Sequence, residues 1–349
     1  MLRACVTLCT TTAPRSTRSS IQARLIVSEL STRQFAAASG VPTVYHPAYS
    51  APQLPDGHRF PMGVFRRIYD SLLEQGIVSP SQIHIPPELP SDEMLHLVHT
   101  PKYVSAFSEG RLDANACRRI GFGVCMADPN LIERTKSEVA GTLLTAELAL
   151  QHGLAVNTAG GTHHAFPAYG SGFCILNDLA VTARVLLERG TVQRILILDL
   201  DVHQADGTAA IFEGESDSVY TLSVHAASNF PLNKQRSTLD IPLADGVGDD
   251  DYLRTVADTL PGVLSGFKPQ LVLYDGGIDV HQKDALGRLA LTDAGLMRRE
   301  MQVLDTCLSA GIPTAGYMGG GYNNSMDFLV KCHVMLHQAA KQMWIDHEL

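Results

Sequence analysis

The chain has 349 residues, of which 45% are hydrophobic and 18% charged, and its formal net charge is −9. This composition supports a large buried core in one α/β domain or two small ones, and the negative charge argues against an electrostatic grip on nucleic acid. No apolar run approaches the roughly 20 residues that a membrane-spanning helix needs, so we expect no membrane span.

The first forty residues differ in composition from the rest of the chain. They hold five arginines, twelve serines and threonines and one acidic residue, Glu29, so the remainder carries a charge of −13. An Arg- and Ser-rich segment with few acids is typical of an organellar transit peptide, and a plain disordered tail is the alternative. We predict a transit peptide over residues 1–40 that directs the chain to the mitochondrion or chloroplast, with the cytoplasm or nucleus as the alternative location, and one folded domain over residues 41–349.

Apolar periodicity predicts the elements of the folded part. In chain order we expect a strand at 43–45, a helix at 65–75, a loop-rich stretch at 80–90, helical stretches at 94–99 and 103–107, and a long helix at 131–152. Thereafter strands at 155–158, 194–199, 219–224, 271–274 and 314–317 are interspersed with helices at 178–189, 251–264, 293–310 and 327–346. Such alternation favours an α/β fold with a mostly parallel central sheet and helices on both faces.

Polar, glycine-rich segments follow four of the predicted strands. They read Gly160-Gly161-Thr162-His163-His164, Asp199-Leu200-Asp201-Val202-His203, Gly276-Gly277-Ile278-Asp279 and Gly319-Gly320-Gly321-Tyr322. In parallel sheets ligands bind beyond the carboxyl ends of the strands. We therefore expect these four segments to converge on one functional site.

The second and third of these segments indicate a metal site. Asp199, Asp201 and His203 alternate, so in an extended segment all three would project from one face. Because a buried carboxylate needs a cation or hydrogen-bond donors, a cation is expected there. Asp201, His203 and Asp279 form a three-ligand set that leaves one zinc position open for water. A lone Asp-x-His is more often a cap or turn, and His281, which repeats that spacing, is a weaker candidate for a second metal.

The remaining polar residues have the chemistry of proton transfer. Adjacent imidazoles point in different directions on an extended chain, so His163 and His164 each need an orienting partner. Asp199 and Asp206 remain available for this role. The phenol of Tyr322, presented by a glycine-rich loop, could donate a hydrogen bond to an oxyanion.

Taken together with Gly172-Phe173-Cys174 and Asn177-Asp178, these segments resemble the zinc-dependent histone deacetylase superfamily. The order and spacing match from about residue 42 to the C-terminus, and the chain looks most like class IV and the related bacterial and plant deacetylase-like proteins. The resemblance implies a single-domain arginase/deacetylase-like fold and a tunnel for acylated lysine. Residues 41–349 would then be the histone deacetylase-like catalytic domain.

The resemblance also implies a role for each matching residue. It makes Asp201, His203 and Asp279 the zinc ligands. It makes His164, paired with Asp206, the general base and acid. His163, held by Asp199, would be the electrostatic partner of His164, and Tyr322 would stabilise the oxyanion. The resemblance places four residues in the tunnel wall: Gly172, Phe173, Phe230 and Leu286. It places Arg59 behind the zinc. It also implies a structural potassium ion at Asp199, Asp201, His203, Ser223 and Val224.

The sequence thus predicts a zinc-dependent amidohydrolase that removes acetyl or other acyl groups from lysine side chains of proteins, with histones and chromatin as the context that the resemblance suggests. One alternative is the deacetylation of a small acetylated amine such as an acetylpolyamine. A catalytically inactive metal-binding interaction protein is the alternative from another class. The segment 121–125 lacks the acidic residue that class I members carry at the tunnel rim, which leaves the peptide preference open.

Overall fold

The computed structural model describes residues 40–349. Its strands form one eight-stranded sheet in the order β2-β1-β3-β8-β7-β4-β5-β6, and every neighbouring pair is parallel. The strands are β1 (Thr43–Val44), β2 (Ile83–His84), β3 (Leu154–Asn157), β4 (Ile195–Asp199), β5 (Val219–Ala226), β6 (Leu239–Leu243), β7 (Leu271–Asp275) and β8 (Thr314–Tyr317). The predicted α/β class is confirmed, and within the described residues the sheet is entirely parallel.

Helices cover the sheet. Every residue of the four central strands β3, β8, β7 and β4 is buried, as expected for parallel strands with helices on both faces. The helices are α1 (Val64–Glu74), α2 (Asp92–Leu95), α3 (Pro101–Ser108), α4 (Ala114–Ile120), α5 (Pro129–His152), α6 (Asp178–Glu188), α7 (Asp206–Ile211), α8 (Asp249–Phe267), α9 (Asp293–Ser309) and α10 (Met326–Asp346). Among the described residues, none of these helices is long and apolar enough to cross a bilayer.

Side-chain caps explain where the major helices begin. Asp128 before α5, Asn177 before α6, Thr292 before α9 and Ser325 before α10 each accept a hydrogen bond from a backbone N–H of the first turn. Such caps satisfy donors that have no partner inside the helix, and each typically contributes about 1 kcal/mol. The sequence therefore determines these helix starts locally.

Several short elements were not predicted. The stretch 80–90 is mostly loop, as predicted, but the two-residue strand β2 inside it was missed, as were β6, α4 and α7. β2 has only two residues, and β6 is an edge strand that contains Pro242 and is only partly buried. Such segments carry little apolar periodicity, because their pairing is decided by the rest of the sheet.

The register of the central strands brings polar residues together. Asp199 at the end of β4 pairs with Asp275 at the end of β7, and Asp275 pairs in turn with Tyr317 of β8. The loops that follow these strands therefore leave the sheet side by side. The candidate site lies at this carboxyl edge, where parallel sheets bind ligands.

Candidate active site

Asp201, His203 and Asp279 lie together beyond β4 and β7. The Nδ1 atom of His203 is 2.9 Å from Asp201 Oδ1 and 3.1 Å from Asp279 Oδ2, and one ligand atom from each residue lies within 4.8 Å of the others. Backbone donors hold the carboxylates: Gly320 N–H donates to Asp201 Oδ2 at 2.9 Å, and Val202 N–H donates to Asp279 Oδ1 at 2.8 Å. The three predicted metal ligands are thus brought together in one buried cluster.

The chemistry of this cluster fits a cation. Asp279 is fully buried, and apart from the contact with His203 Nδ1 its Oδ2 has no hydrogen-bond partner among residues 40–349. Burial would lower the pKa of His203, but its contacts with Asp201 and Asp279 raise it to about 10. Burial and the nearby Asp201 carboxylate raise the pKa of Asp279 to about 7. These pKa shifts show that the cluster stabilises a positive charge. Two carboxylates and one imidazole nitrogen are a suitable ligand set for a divalent metal such as zinc.

The structure groups Asp199 with other residues than Asp201 and His203, so the prediction that one extended segment aligns all three is wrong. β4 ends at Asp199, and the next residues turn away in a loop rather than continuing the strand alternation. Asp199 instead belongs to a second cluster with His163 and Asp275. The predicted alternation of side chains requires extended backbone from Asp199 to His203, but the strand ends at Asp199, one residue after its last apolar residue, Leu198.

The two histidines are paired with the two predicted aspartates. His163 Nδ1 is 2.7 Å from Asp199 Oδ2, and His164 Nδ1 is 2.6 Å from Asp206 Oδ1. The rings lie 4.0 Å apart between centroids, and all four side chains are buried. Each carboxylate fixes the orientation of one imidazole, which leaves Nε2 of each ring available to other groups.

These two pairs differ in charge. Burial alone would lower the pKa of His163, but the carboxylates of Asp199, Asp201 and Asp275 raise it well above its ordinary value. Burial, with the adjacent His163, lowers the pKa of His164 to about 4 despite its bond to Asp206. At neutral pH, therefore, His163 carries a proton and His164 can accept one.

Asp275 is a site residue that the sequence did not indicate. It is fully buried at the end of β7, and its Oδ2 lies 3.9 Å from His163 Nδ1. Neither of its side-chain oxygens has a hydrogen-bond partner within the described part of the chain. Burial and the nearby Asp199 raise the pKa of Asp275 well above its ordinary value. Only the strand register, which sets Asp275 beside Asp199, could have pointed to it.

Tyr322 lies beside His203, with a distance of 6.4 Å between the ring centroids. Its backbone N–H donates to Asp284 Oδ2 at 2.7 Å, and Asp284 Oδ1 accepts the N–H groups of Leu286 and Gly287. Burial and the carboxylates of Asp201 and Asp279 raise the pKa of Tyr322 well above 10, so the phenol keeps its proton.

Aromatic rings wall the cavity above this polar floor. Phe173 adopts φ +66° and lies 5.8 Å from the Tyr322 ring, while Phe230, which is 42% exposed, lies 4.9 Å from the His164 ring. Gly172 and Phe173 line the cavity directly. Leu286 is partly buried, and its carbonyl accepts a hydrogen bond from the Asn229 side chain. Leu286 is therefore tied to the residue that precedes Phe230.

A family model for the histone deacetylase domain matches residues 58–336. The chain belongs to the histone deacetylase family. The acetoin utilization protein AcuC of Staphylococcus aureus (strain MRSA252) is 31% identical over 293 residues, which are 77% of this chain and 73% of that protein. Histone deacetylase 2 of Arabidopsis thaliana is 28% identical over 277 residues, which are 77% of this chain and 70% of that protein. Family membership makes the chain a hydrolase of amide bonds.

Two further relatives describe the extent of the similarity. An uncharacterized protein of Picosynechococcus sp. is 53% identical over 305 residues, which are 87% of this chain and the whole of that protein. The crystal structure of the HDA15 HD domain matches with a TM-score of 0.73 at 21% identity, over 87% of this chain and 89% of that one. The second similarity concerns the fold alone, which is the predicted arginase/deacetylase-like fold.

Arg59 does not lie behind the metal cluster of this deacetylase, so that prediction is wrong. Its side chain is exposed in the loop before α1. The buried guanidinium that lines the cavity belongs to Arg134 of α5, which donates to Glu138 at 2.8 and 2.9 Å. Arg134 also stacks over the ring of Phe65 at 5.0 Å. The sequence offered one signal for Arg134, namely that it forms a charged i,i+4 pair with Glu138 in a helix rich in Ala and Leu. Such pairs are usually solvent-exposed, so the pair did not indicate a buried arginine at the site.

Three lesser predictions concern residues around the deacetylase site. His281 packs against Phe328 and lies 3.3 Å from Asp293, and neither metal-type cluster of the described residues includes it. Ser223 and Val224 are buried on β5, where the Ser223 hydroxyl accepts a hydrogen bond from Ala205 N–H. The potassium site at these residues stays a prediction, and the predicted transit peptide lies outside the described residues.

Proposed function

We propose that the chain is a zinc-dependent deacylase that removes acetyl groups from lysine side chains of proteins. One observation carries the proposal: Asp201 of the metal-type cluster, the neutral His164 and the protonated Tyr322 line one cavity together with Phe173. An amide hydrolase needs these three functions next to one another. Family membership alone would not specify that this chain retains all of them.

Zinc is the metal that we propose for Asp201, His203 and Asp279. Two carboxylates and one imidazole are a suitable zinc set, and three protein ligands leave room for water. When bound, the ion supplies Lewis-acid polarisation of the substrate carbonyl and lowers the pKa of water. The backbone donors from Gly320 and Val202 orient the two carboxylates.

His164 handles the proton. Because Asp206 engages Nδ1, the lone pair of Nε2 is the one that can accept a proton from the attacking water. The resulting imidazolium then donates that proton to the departing lysine amine, which completes the hydrolysis. A positioned base of this kind typically contributes a factor of roughly 10²–10⁴ to the rate. His163, already cationic, stabilises negative charge instead.

The other side chains hold the substrate. The Tyr322 hydroxyl donates to the carbonyl oxygen as negative charge develops there. Phe173 and Phe230 offer apolar ring surface to an aliphatic lysine stem, and the Gly172 backbone closes the wall beside His164. Burial of the stem excludes water and strengthens each electrostatic contact inside the cavity.

The rim favours a protein substrate over a polyamine. Phe230 and Leu232, which is 92% exposed, present apolar surface at the entrance loop. Among the described residues, the acids that line the cavity are Glu138 and Asp201, and both are buried and hydrogen-bonded. Neither of these two carboxylates is therefore free to bind a second ammonium group of a polyamine.

The experiment compares acetyl-lysine peptides, longer acyl-lysine peptides and acetylpolyamines as substrates of the zinc-loaded full chain. We expect the highest kcat/KM on acetyl-lysine peptide and loss of activity with a zinc chelator. Asp201→Asn should lose both zinc and turnover, while Asp217→Asn, the same change at an exposed position, should retain both. Faster turnover of acetylpolyamine would overturn the substrate assignment, and zinc binding without any amide hydrolysis would overturn the enzyme assignment.

A further inference from the structure

Arg299 of α9 is a charged residue with no exposed surface. Its guanidinium donates to three backbone carbonyls: Nη1 bonds to Gly277 O at 2.7 Å and to Leu200 O at 3.2 Å, and Nη2 bonds to Gly276 O at 2.9 Å. None of these carbonyls belongs to a helix or strand. One planar side chain thus donates hydrogen bonds to three loop carbonyls at once.

The position of these carbonyls links Arg299 to the metal cluster. Leu200 comes directly before Asp201, and Gly276 and Gly277 connect the end of β7 to Asp279. The loops after β4 and β7 supply all three residues of the cluster. Arg299 of α9 is therefore a side chain that joins these two loops.

The charge of Arg299 is fully compensated. Glu300 Oε1 accepts hydrogen bonds from Nε at 3.1 Å and from Nη2, and Glu300 Oε2 accepts one from the Tyr274 hydroxyl at 2.7 Å. The Tyr252 hydroxyl adds a second donor to Leu200 O at 3.3 Å. A buried guanidinium that is engaged on all sides has a fixed position, because any shift would leave a charge or a carbonyl without a partner.

We propose that Arg299 is a positioning residue that sets the spacing of the two metal-ligand loops and thereby the affinity of the site for zinc. The proposal rests on the zinc site of the proposed function, but it does not depend on which amide the enzyme hydrolyses. Groups outside the ligand set that orient the ligands typically change metal affinity by roughly 10- to 100-fold when they are removed.

The test measures zinc affinity in Arg299→Lys, which keeps the positive charge but, with three N–H donors in place of five, cannot engage the three carbonyls and Glu300 at once. The control is Arg298→Lys, the same change at the adjacent, exposed residue that faces Asp250. The dissociation constant is obtained by competition with a chromophoric chelator, far below the unfolding temperature. We expect a roughly 10- to 100-fold weaker zinc affinity for Arg299→Lys and no change for Arg298→Lys.

A second readout separates positioning from simple stabilisation. In the Co²⁺-substituted protein, the visible absorption bands report the ligand geometry, and we expect them to shift in Arg299→Lys only. A lower melting temperature of the metal-free protein with unchanged zinc affinity and unchanged Co²⁺ bands would overturn the proposal. Wild-type protein that binds no zinc would instead refute the proposed zinc site.

A milder variant covers the case in which Arg299→Lys does not fold. Tyr252→Phe removes the second donor to the Leu200 carbonyl, together with the hydroxyl's contact with Arg299, and leaves Arg299 itself in place. We expect its zinc affinity to fall by about 3- to 10-fold, as the loss of one such hydrogen bond of about 1 kcal/mol predicts. Unchanged affinity in Tyr252→Phe would overturn the claim that the fixed position of this carbonyl controls the site.

Discussion

Gly172 offers a direct test of how closely the cavity wall constrains the proposed base. It adopts φ +53°, and a Cβ atom there would lie 2.7 Å from His164 Cδ2 and 3.1 Å from Phe230 Cε1. Because carbon atoms in contact sit about 3.5–4.0 Å apart, Gly172→Ala must displace the imidazole or the loop by about 1 Å. His164 cannot move freely, since its Nδ1 is bound to Asp206 at 2.6 Å.

The size of the expected effect follows from this displacement. A misplacement of about 1 Å in a catalytic group can cost about 100-fold in rate, which corresponds to about 2.7 kcal/mol of activation free energy. The left-handed backbone adds a penalty of about 1–2 kcal/mol to folding when glycine is replaced by alanine. We therefore expect Gly172→Ala to lose about 100-fold in kcat/KM and about 1–2 kcal/mol in the free energy of unfolding.

Gly190→Ala is the matched control, because Gly190 has φ +68° and a Cβ atom added there would have nothing within 4 Å. It should lose similar stability without losing activity. The assay combines kcat/KM on an acetyl-lysine peptide, zinc content and unfolding in urea for both variants. If Gly172→Ala keeps kcat/KM within about threefold of wild type, the inferred contact with His164 does not control catalysis and the reasoning is refuted.

Four further predictions address other groups. Tyr322→Phe should lower kcat by about 10²–10³ while zinc content, measured by atomic emission, stays at the wild-type level; loss of zinc would point to a structural role instead. Because burial lowers the pKa of His164 to about 4, kcat/KM of the zinc-loaded enzyme should stay flat from pH 8 down to about pH 5, and a midpoint near the ordinary histidine value of about 6.5 would contradict this. Burial raises the pKa of Asp275, so this residue contributes stability at low pH that is lost as the pH rises through its folded-state pKa. As the pH rises above the ordinary aspartate pKa of about 3.9, the melting temperature of Asp275→Asn should therefore increase relative to that of the wild type, and a constant difference would argue against a raised pKa. Residues 1–40 fused to a fluorescent protein should direct it to a mitochondrion or plastid, whereas diffuse fluorescence would contradict the transit peptide.

The sequence alone predicted the features of the fold and the site that depend on local residue patterns. Apolar strands that alternate with long capped helices predicted the parallel sheet, and the polar segments at the strand ends predicted which loops meet. The residue types also indicated Asp199 and Asp206 as candidate partners of the two histidines, and the resemblance to the deacetylase family implied which aspartate pairs with which histidine. For the sheet and the converging loops, the information lies in residue type and spacing, which the backbone geometry of strands and helices converts directly into position.

The features that the sequence missed depend on tertiary burial. Arg134 and Arg299 lie in helices, where a charged residue is usually interpreted as part of the solvated face. Whether such a residue faces solvent or the sheet depends on how the helix docks. Arg59 was misplaced for the related reason that a loop has no periodicity from which to predict its direction. Asp275 is the last residue of an apolar strand, and only the pairing with β4 shows that it faces His163.

The adjacency of His163 and His164 explains how one dipeptide can hold two opposite charge states. The two residues lie in a turn, where His163 reaches the three carboxylates of Asp199, Asp201 and Asp275, whereas His164 reaches only that of Asp206. The same burial acts on both rings. The surplus of negative charge around the first ring overcomes burial and retains the proton, while a single carboxylate around the second does not. When the surroundings of two neighbouring titratable groups shift their pKa values in opposite directions, the charged group can stabilise charge and the neutral group can transfer a proton. The histidine that lies beside the carboxylates of Asp199, Asp201 and Asp275 keeps its proton, and the other histidine is therefore the one that we propose as the base.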